Sequence, residues 1–226
     1  MLNWAARYYP IIRILKSDGL FDRGALLEIG AGPYGIGEFR KLPFVGCDLG
    51  FAVKPRWPML PLIASGTQLP FKDKQFDVVV ASDVLEHVPD QLREGVILEC
   101  LRVSRKLTVF GFPCGEVAWK ADQELVSAYE SAKLATPRWL SEHMEGAPFP
   151  EAELFDGIKG WNVESCGNEN IRFHLWLMKR EMSRSFVLLT SAVVRMLPSL
   201  TESLLRKVDQ EPCYRQIFAL RRRADV

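Results

Sequence analysis

A glycine-rich stretch, Gly30-Ala31-Gly32-Pro33-Tyr34-Gly35, has the spacing G-x-G-x-x-G, which is a weak signal when taken alone. Glycine has no Cβ and tolerates positive φ, so the backbone of such a stretch can approach a ligand closely. Asp48 follows about 18 residues after Gly30, where a carboxylate can accept both hydroxyl hydrogens of a ribose. The pattern indicates a cofactor that contains adenosine, with a tight turn that binds nothing as the alternative.

Alternating strands and helices must position these residues. Short apolar runs at 25–29 and 44–47 flank the glycine stretch and predict the order strand, glycine loop, helix, strand. The runs 76–81 and 107–112 are apolar on both faces, as is typical of parallel strands covered by helices. Residues 91–103 lie between them with the apolar spacing of a helix. This alternation predicts a doubly wound α/β sheet.

The C-terminal part of the sequence predicts a helical insertion before the last strand. Strand candidates at 161–166 and 214–221 are separated by an amphipathic helix that runs from Ile171 to Met196. Pro198 then ends this helix, and Ser199-x-x-Glu202 has the form of a capping box for a second helix. We therefore divide the chain into an N-terminal helix or lid, 1–24, and one α/β domain, 25–226, which includes the insertion 171–208.

Composition excludes several classes of protein. The 226 residues include 29 basic and 28 acidic side chains, so the net charge of +1 does not favour a dedicated nucleic-acid binder. The five cysteines are scattered and form no C-x-x-C pair, which favours a reduced, cytoplasmic setting. We identify no secretion signal, and the longest apolar run, 186–194, is too short to span a membrane.

Two sequence blocks, in a fixed order, narrow the choice of cofactor. The first is Leu27-Glu28-Ile29-Gly30-Ala31-Gly32, and the second is LPFKDKQFDVVVASDVLEHVPD at 69–90. Together they resemble the class I S-adenosylmethionine-dependent methyltransferases, and the resemblance covers residues 25–112. It implies a seven-stranded, mostly parallel Rossmann-like sheet, S-adenosylmethionine as cofactor, and methyl transfer to an oxygen or nitrogen of an acceptor.

The resemblance also implies which residues surround the cofactor. The glycine loop would lie beneath the methionyl part, and Glu28 would compensate the positive charge. Asp48 would hold the ribose hydroxyls, and Leu49 would cover one face of the adenine. Ser65 stands where the family often has an aspartate, and Tyr34 stands where many members have a glycine. The full predicted set is Glu28, Gly30, Ala31, Gly32, Tyr34, Gly35, Asp48, Leu49, Ser65, Gly66, Thr67, Ser82 and Asp83.

Candidates for catalysis follow from the second block. Asp83 and His87 would lie at the carboxyl end of the fourth strand, where ligands bind in such sheets. For His87 we favour a structural role over that of a general base, and Asp83 is the other catalytic candidate. Asp83, Glu86 and His87 also match the spacing of a metal-binding trio in ubiquinone-pathway O-methyltransferases. Because this spacing is ordinary on a helix surface, we expect no metal and keep the trio as the minority alternative.

The acceptor is not fixed by these blocks, since an activated methyl group needs in-line approach but no covalent nucleophile. A small molecule, a saccharide or a lipid-linked acceptor would fit, and nucleic acid is not expected. We predict that the acceptor is held by the leading helix, through Tyr8 and Tyr9, by the segment after Pro113 and by residues 137–149. A non-catalytic protein with this fold is the alternative function, and an NAD-binding oxidoreductase is the least favoured one.

The insertion 171–208 contains an amphipathic helix, and the apolar face of that helix must be shielded from water by protein or lipid. We favour packing on the domain itself or on a homodimer partner. The alternative is peripheral membrane contact, in which Lys179, Arg180 and Arg184 would seat the helix on anionic lipid. Glu181 counts against this alternative because it interrupts the basic face. A cytoplasmic location, with or without such contact, is the expectation.

Overall fold

Seven strands form a single mixed sheet in the computed structural model, which describes residues 1–223. They are β1 (Leu26–Ile29), β2 (Phe44–Asp48), β3 (Met59–Ile63), β4 (Phe76–Ser82), β5 (Ser104–Pro113), β6 (Trp161–Asn170) and β7 (Cys213–Arg222). The strand order is β3-β2-β1-β4-β5-β7-β6, and β7 runs antiparallel to both of its neighbours. This confirms the predicted seven-stranded, mostly parallel, doubly wound fold. The last residues of the predicted domain, 224–226, lie outside the described residues.

Helices cover both faces of this sheet. They are α1 (Leu2–Ser17), α2 (Asp90–Val103), α3 (Gly115–Ser131), α4 (Arg138–Glu145), α5 (Ile171–Glu181), α6 (Arg184–Met196) and α7 (Pro198–Arg206). Alternate residues of β4 pack on opposite faces of the sheet. Val78 and Val80 pack with α1, and Val79 and Ala81 pack with α2. Both sets are fully buried, as the apolar character of β4 on both faces predicts.

The helix predicted after the glycine loop is wrong. Only a single 3-10 turn, Gly35–Glu38, stands between β1 and β2. Gly37 lowers helix propensity and Pro43 follows closely, so few residues are left for a full helix. Helix α1 covers this part of the sheet instead, and its Ile11 and Leu15 are fully buried in the shared core. The predicted boundary at residue 24 therefore separates elements that share one core.

The insertion contains three helices where the sequence predicts two. The predicted long helix is broken between Glu181 and Arg184, and the two pieces are α5 and α6. The predicted capping box is wrong as well, since α7 begins at Pro198 and no side chain caps its N-terminus. Proline has a fixed φ that suits the first helical position, so the helix starts before Ser199 can act as its cap.

Candidate active site

Seven of the predicted cofactor residues line one cavity of about 630 Å³, the larger cavity. It lies beyond the carboxyl ends of β1, β2 and β4, the edge at which ligands bind in parallel α/β sheets. Its volume is within the range of about 300–1,000 Å³ that is usual for small-molecule sites. The seven residues are Gly30, Asp48, Leu49, Ser65, Gly66, Thr67 and Asp83.

The carboxylate of Asp48 holds the glycine loop with one oxygen and leaves the other available. Its Oδ2 accepts a hydrogen bond from the backbone N–H of Gly32 at 2.9 Å. Its Oδ1 has only a long contact of 3.5 Å with the N–H of Gly50. The Oδ1 atom can therefore accept a charge-assisted hydrogen bond from a ligand hydroxyl. Asp48 is suited to the predicted ribose contact and also fixes the loop.

The walls near Asp48 suit an aromatic base. Leu49 is 77% exposed beside the larger cavity, and Ala64, Leu92 and Val96 also line it. An exposed leucine at the mouth of a cavity is stabilised when a planar ring covers it, because apolar area leaves water. The chain therefore offers both an oxygen for a ribose and an apolar wall for an adenine, so these residues fit an adenosine-containing cofactor.

Ser65 has a local partner that the sequence did not suggest. Its Oγ lies 2.8 Å from the Oγ1 of Thr67 and accepts from the Thr67 N–H at 3.2 Å. The serine thus stabilises its own turn, as serine side chains often do. Its hydroxyl is less available to a ligand than the family aspartate would be, so a contact from Ser65 to adenine stays a prediction.

The other six predicted cofactor residues do not border the larger cavity. At Gly32, φ is +53° and an added Cβ would meet no described atom within 4 Å, so one side of the loop is open. Tyr34 is half-exposed, and its ring stands edge-on to Trp4. Their roles as ligand contacts stay predictions. The six are Glu28, Ala31, Gly32, Tyr34, Gly35 and Ser82.

Glu28 is buried behind the glycine loop. The hydroxyl of Tyr8 donates to its Oε1 at 2.6 Å, and the N–H of Ile36 donates to its Oε2 at 2.7 Å. Burial raises the pKa of Glu28 to about 7, against the lowering effect of these two hydrogen bonds. The carboxyl group is therefore only partly ionised near neutral pH. A positive charge bound above the loop would favour its ionised form.

A second cavity of about 370 Å³, the smaller cavity, shares Asp83 and His87 with the larger one. Helices α1, α4 and α5 and strand β7 contribute to its walls. The leading helix takes part as expected, but through Asn3, Trp4 and Arg7. The predicted contributions of Tyr8 and Tyr9 are wrong, since both rings are buried in the core. The chain has three histidines, and all of them line this cavity: His87, His143 and His174.

A buried ion-pair network lies where the two cavities meet. Arg215 donates to both carboxylate oxygens of Asp83, at 2.8 and 2.9 Å, and Arg7 donates to one of them at 2.8 Å. Arg215 also pairs with the buried Glu169. Burial alone would raise the pKa of Asp83, but Arg215 and Arg7 hold it at about 2. A carboxylate so paired takes up no proton near neutral pH, which does not favour Asp83 as a general base.

The backbone of Asp83 is strained as well. Its φ is +51°, a left-handed conformation that is uncommon for a residue with a side chain. Its N–H donates to the carbonyl of Gly111 at 2.7 Å, and the two arginines hold its side chain. Such strain persists where the surrounding structure fixes it, and it is concentrated at functional sites. Asp83 therefore acts as a fixed charge at the junction of the cavities.

His143 has the geometry of a general base. Its Nδ1 lies 2.6 Å from Oδ2 of the buried Asp122, and the hydroxyl of Tyr214 donates to the same carboxylate at 3.0 Å. Burial raises the pKa of Tyr214 well above its ordinary value, so this hydroxyl keeps its proton. With Asp122 as acceptor, the imidazole carries its proton on Nδ1. The Nε2 atom is buried, has no hydrogen-bond partner among residues 1–223, and can accept a proton.

Glu86 and His87 stand beside His143. Both carboxyl oxygens of Glu86 are buried without a hydrogen-bond partner in the described part of the chain. Burial, with a contribution from Asp83, raises the pKa of Glu86 well above its ordinary value, which favours the protonated form of this acid. Burial and the neighbouring His143 lower the pKa of the partly exposed His87. Both shifts favour the uncharged forms of Glu86 and His87 in the smaller cavity.

The minority metal trio does not assemble as predicted, because the arginines occupy the Asp83 carboxylate. A different group comes together: one ligand atom each from Glu86, His87 and His143 lies within 4.8 Å of the others. Such a set could hold a cation only if Glu86 gave up its proton. The expectation that the protein uses no metal stays a prediction.

The sequence analysis missed most of the smaller cavity. The predicted acceptor segment 137–149 does contribute Trp139 and His143. Asp122, Tyr214 and Arg215 come from α3 and β7, and no local motif joins them to His143. One signal was available: histidine is rare in this sequence, and all three copies meet at one site.

Comparisons with known proteins agree with this geometry. Residues 47–110 match the family model described as a methyltransferase domain. A comparison with curated protein sequences gives no match. Among solved structures, a SAM-dependent methyltransferase of Thermotoga maritima is 16% identical, with a TM-score of 0.54 over 99% of this chain and 100% of that one.

Two further structures resemble the chain over most of its length. Magnesium protoporphyrin IX methyltransferase of Synechocystis PCC 6803, with bound S-adenosylhomocysteine, is 13% identical with a TM-score of 0.52 over 95% of this chain and 81% of that one. Phosphoethanolamine N-methyltransferase 2 of Haemonchus contortus is 19% identical with a TM-score of 0.56 over 96% of this chain and 53% of that one. At these identities the structures establish the shared fold.

Proposed function

Because the chain carries a class I S-adenosylmethionine-dependent methyltransferase domain, we propose that it moves the methyl group of S-adenosylmethionine from the larger cavity to a small polar acceptor in the smaller cavity. One observation carries this proposal: the two cavities meet at Asp83 and His87. Adjacent binding of donor and acceptor removes most of the entropic barrier to a bimolecular transfer.

The cofactor, when bound, supplies a methyl group on a positively charged sulfur. An acceptor oxygen or nitrogen forms the new bond to this carbon while the carbon–sulfur bond breaks, and the sulfur keeps the electron pair. The acceptor must then lose a proton. His143 Nε2 is the proposed recipient, and Asp122 stabilises the imidazolium that results. Proton transfer by such a positioned base contributes typically about 10²–10⁴-fold to a rate.

The smaller cavity also supports a class of acceptor. Several of its buried polar atoms have no hydrogen-bond partner among residues 1–223, including Asn3 Oδ1, Arg7 Nε, the Glu86 carboxyl and His143 Nε2. Each such group costs roughly 1–3 kcal/mol when it is left unpaired. A ligand with several hydroxyl, amide or amine groups would pair them. The proposed acceptor is therefore a polar, hydroxylated small molecule or a sugar unit, methylated at O or N.

Binding comes first in the test of this proposal. Calorimetric titration with S-adenosylmethionine, S-adenosylhomocysteine and NAD separates the alternatives, and we expect heat from the first two only. Heat from NAD alone would favour an oxidoreductase. Heat from none of the three would favour a non-catalytic protein that keeps the fold.

Turnover is the second stage, with an acceptor found by screening polar small molecules and sugars against a radiolabelled methyl donor. His143→Ala should lower turnover by about 100-fold or more while cofactor affinity stays unchanged. Asp122→Asn should also lower turnover, because the imidazolium of His143 would lose the carboxylate that stabilises it. His87→Ala tests the alternative base, because His87 is the other candidate and lies where the two cavities meet. A loss of turnover with His87→Ala and none with His143→Ala would refute the assignment of His143 as the base. A chelator added to the wild-type protein tests separately whether turnover requires a metal.

A further inference from the structure

The outer faces of α6 and α7 are apolar and uncovered. Leu188, Leu189 and Met196 are 72%, 64% and 78% exposed. The inner faces are different, because Val194 and Leu205 are buried against the core that contains α1. Packing on the domain therefore covers only part of the apolar surface of α6 and α7. We define the α6–α7 surface as the exposed residues Leu188, Leu189, Val193, Met196, Leu197, Leu200 and Leu204.

Basic residues border this surface. At about 100° per residue, the exposed apolar residues of α6 span an arc of about 140°. Arg184 and Arg195 both fall just outside one border of that arc, and Arg206 and Lys207 are exposed at the end of α7. None of these four cations forms an ion pair within residues 1–223. Glu202 is the single acidic residue in α6 and α7.

Glu181, which interrupts the basic face in the sequence, is not part of the α6–α7 surface. Glu181, at the end of α5, accepts a hydrogen bond from the backbone N–H of Asn3 at 3.3 Å. Burial raises the pKa of Glu181, so its charge is also weakened. Asn3 lines the smaller cavity, and α6 begins only three residues after Glu181. Helix α6 therefore begins close in sequence to a residue that contacts the wall of that cavity.

We propose that the α6–α7 surface binds the interface of an anionic membrane. An apolar face with a border of cations is the pattern of helices that lie in the plane of a lipid surface. Within residues 1–223 no single helix is long and apolar enough to cross a membrane; α6 and α7 together pass that test, but they are bent by 108°. With Val194 and Leu205 held in the protein core, the pair lies on the bilayer rather than through it.

A second copy of the chain fits this surface less well. A two-fold symmetric contact brings a patch against itself, so the four cations of each copy would face a patch with one acidic residue. Anionic lipid head groups supply the missing opposite charge and lose none of the apolar contact.

The test is co-sedimentation of the full chain with vesicles. One set contains phosphatidylcholine alone, and the other also contains about one third phosphatidylglycerol. Three variants are compared with wild type. The first replaces Leu188, Leu189 and Met196 with glutamine, the second is Arg184→Gln with Arg195→Gln, and the control is Leu98→Gln. Leu98 is 55% exposed on α2, which covers the opposite face of the sheet.

Wild type and Leu98→Gln should bind the anionic vesicles, and added salt should weaken that binding. The double arginine variant should bind about fivefold more weakly for each charge removed. The triple apolar variant should lose binding altogether. Urea midpoints and cofactor titration check that each variant is folded, and neither depends on methyl transfer. The proposal is overturned if wild type stays in the supernatant with every vesicle, or if sedimentation velocity shows a dimer that the triple variant dissociates.

Discussion

Replacement of Glu28 by glutamine should remove a pH-dependent loss of stability. Tyr8 and Ile36 donate to the carboxyl group of Glu28 at 2.6 and 2.7 Å, and burial still raises its pKa from 4.5 to about 7. A group whose pKa is higher in the folded state favours folding fully below its unfolded pKa. This contribution is lost as the pH rises through the folded pKa. Glutamine does not titrate, so the variant lacks this dependence.

The shift sets the size of the effect. Each pKa unit corresponds to about 1.4 kcal/mol, and integration over the window from pH 5 to pH 8 gives about 2.5 kcal/mol. Wild type should therefore lose about 2.5 kcal/mol relative to Glu28→Gln over that window, and most of the change should fall below pH 7. The absolute difference at any one pH also contains the altered hydrogen bonds, so the prediction concerns the slope.

Urea denaturation at several pH values measures this slope, with equal m-values for the two proteins as the condition for comparison. Glu94→Gln, at an exposed position of α2, is the control for loss of one carboxyl group. Tyr8→Phe removes a hydrogen bond that lowers the pKa of Glu28, so it should steepen the decline of stability with pH. Parallel curves for wild type and Glu28→Gln between pH 5 and 8 would refute the reasoning, because a carboxyl group ionised in both states gives no slope there.

Three further predictions concern the site. Asp48→Ala should weaken S-adenosylmethionine binding by about tenfold or more in calorimetry, since a charge-assisted hydrogen bond is worth about 1.5–3 kcal/mol; a loss below threefold contradicts the ribose contact. Gly30→Ala should lower the urea midpoint, because φ at Gly30 is +65° and the added Cβ would overlap Val84. Gly32 has open surroundings, so a larger fall in the midpoint of Gly32→Ala would contradict this reasoning. Arg215→Met should cost about 3–5 kcal/mol of unfolding free energy, since it leaves a buried carboxylate without its main partner; a loss under 1 kcal/mol would mean that Asp83 is held by Arg7 alone.

The sequence by itself determined the cofactor side of the molecule. Strand β4 is apolar on both faces, the glycine loop follows directly on β1, and Asp48 is the last residue of β2. These signals are local, because each depends on neighbouring residues in one strand or one turn. Parallel strands then bring their carboxyl ends to the same edge of the sheet, so correct local elements are enough to assemble the larger cavity.

Local patterns failed where tertiary packing decides. The helix expected after the glycine loop is a single turn, since α1 covers the same part of the sheet. The smaller cavity depends on contacts between distant residues: Tyr214 and Asp122 are 92 positions apart, and Arg215 and Asp83 are 132 apart. No spacing within one element encodes such pairs. Burial also decides their chemistry, since desolvation and the partner charge set the ionisation of each buried acid only once the chain has folded.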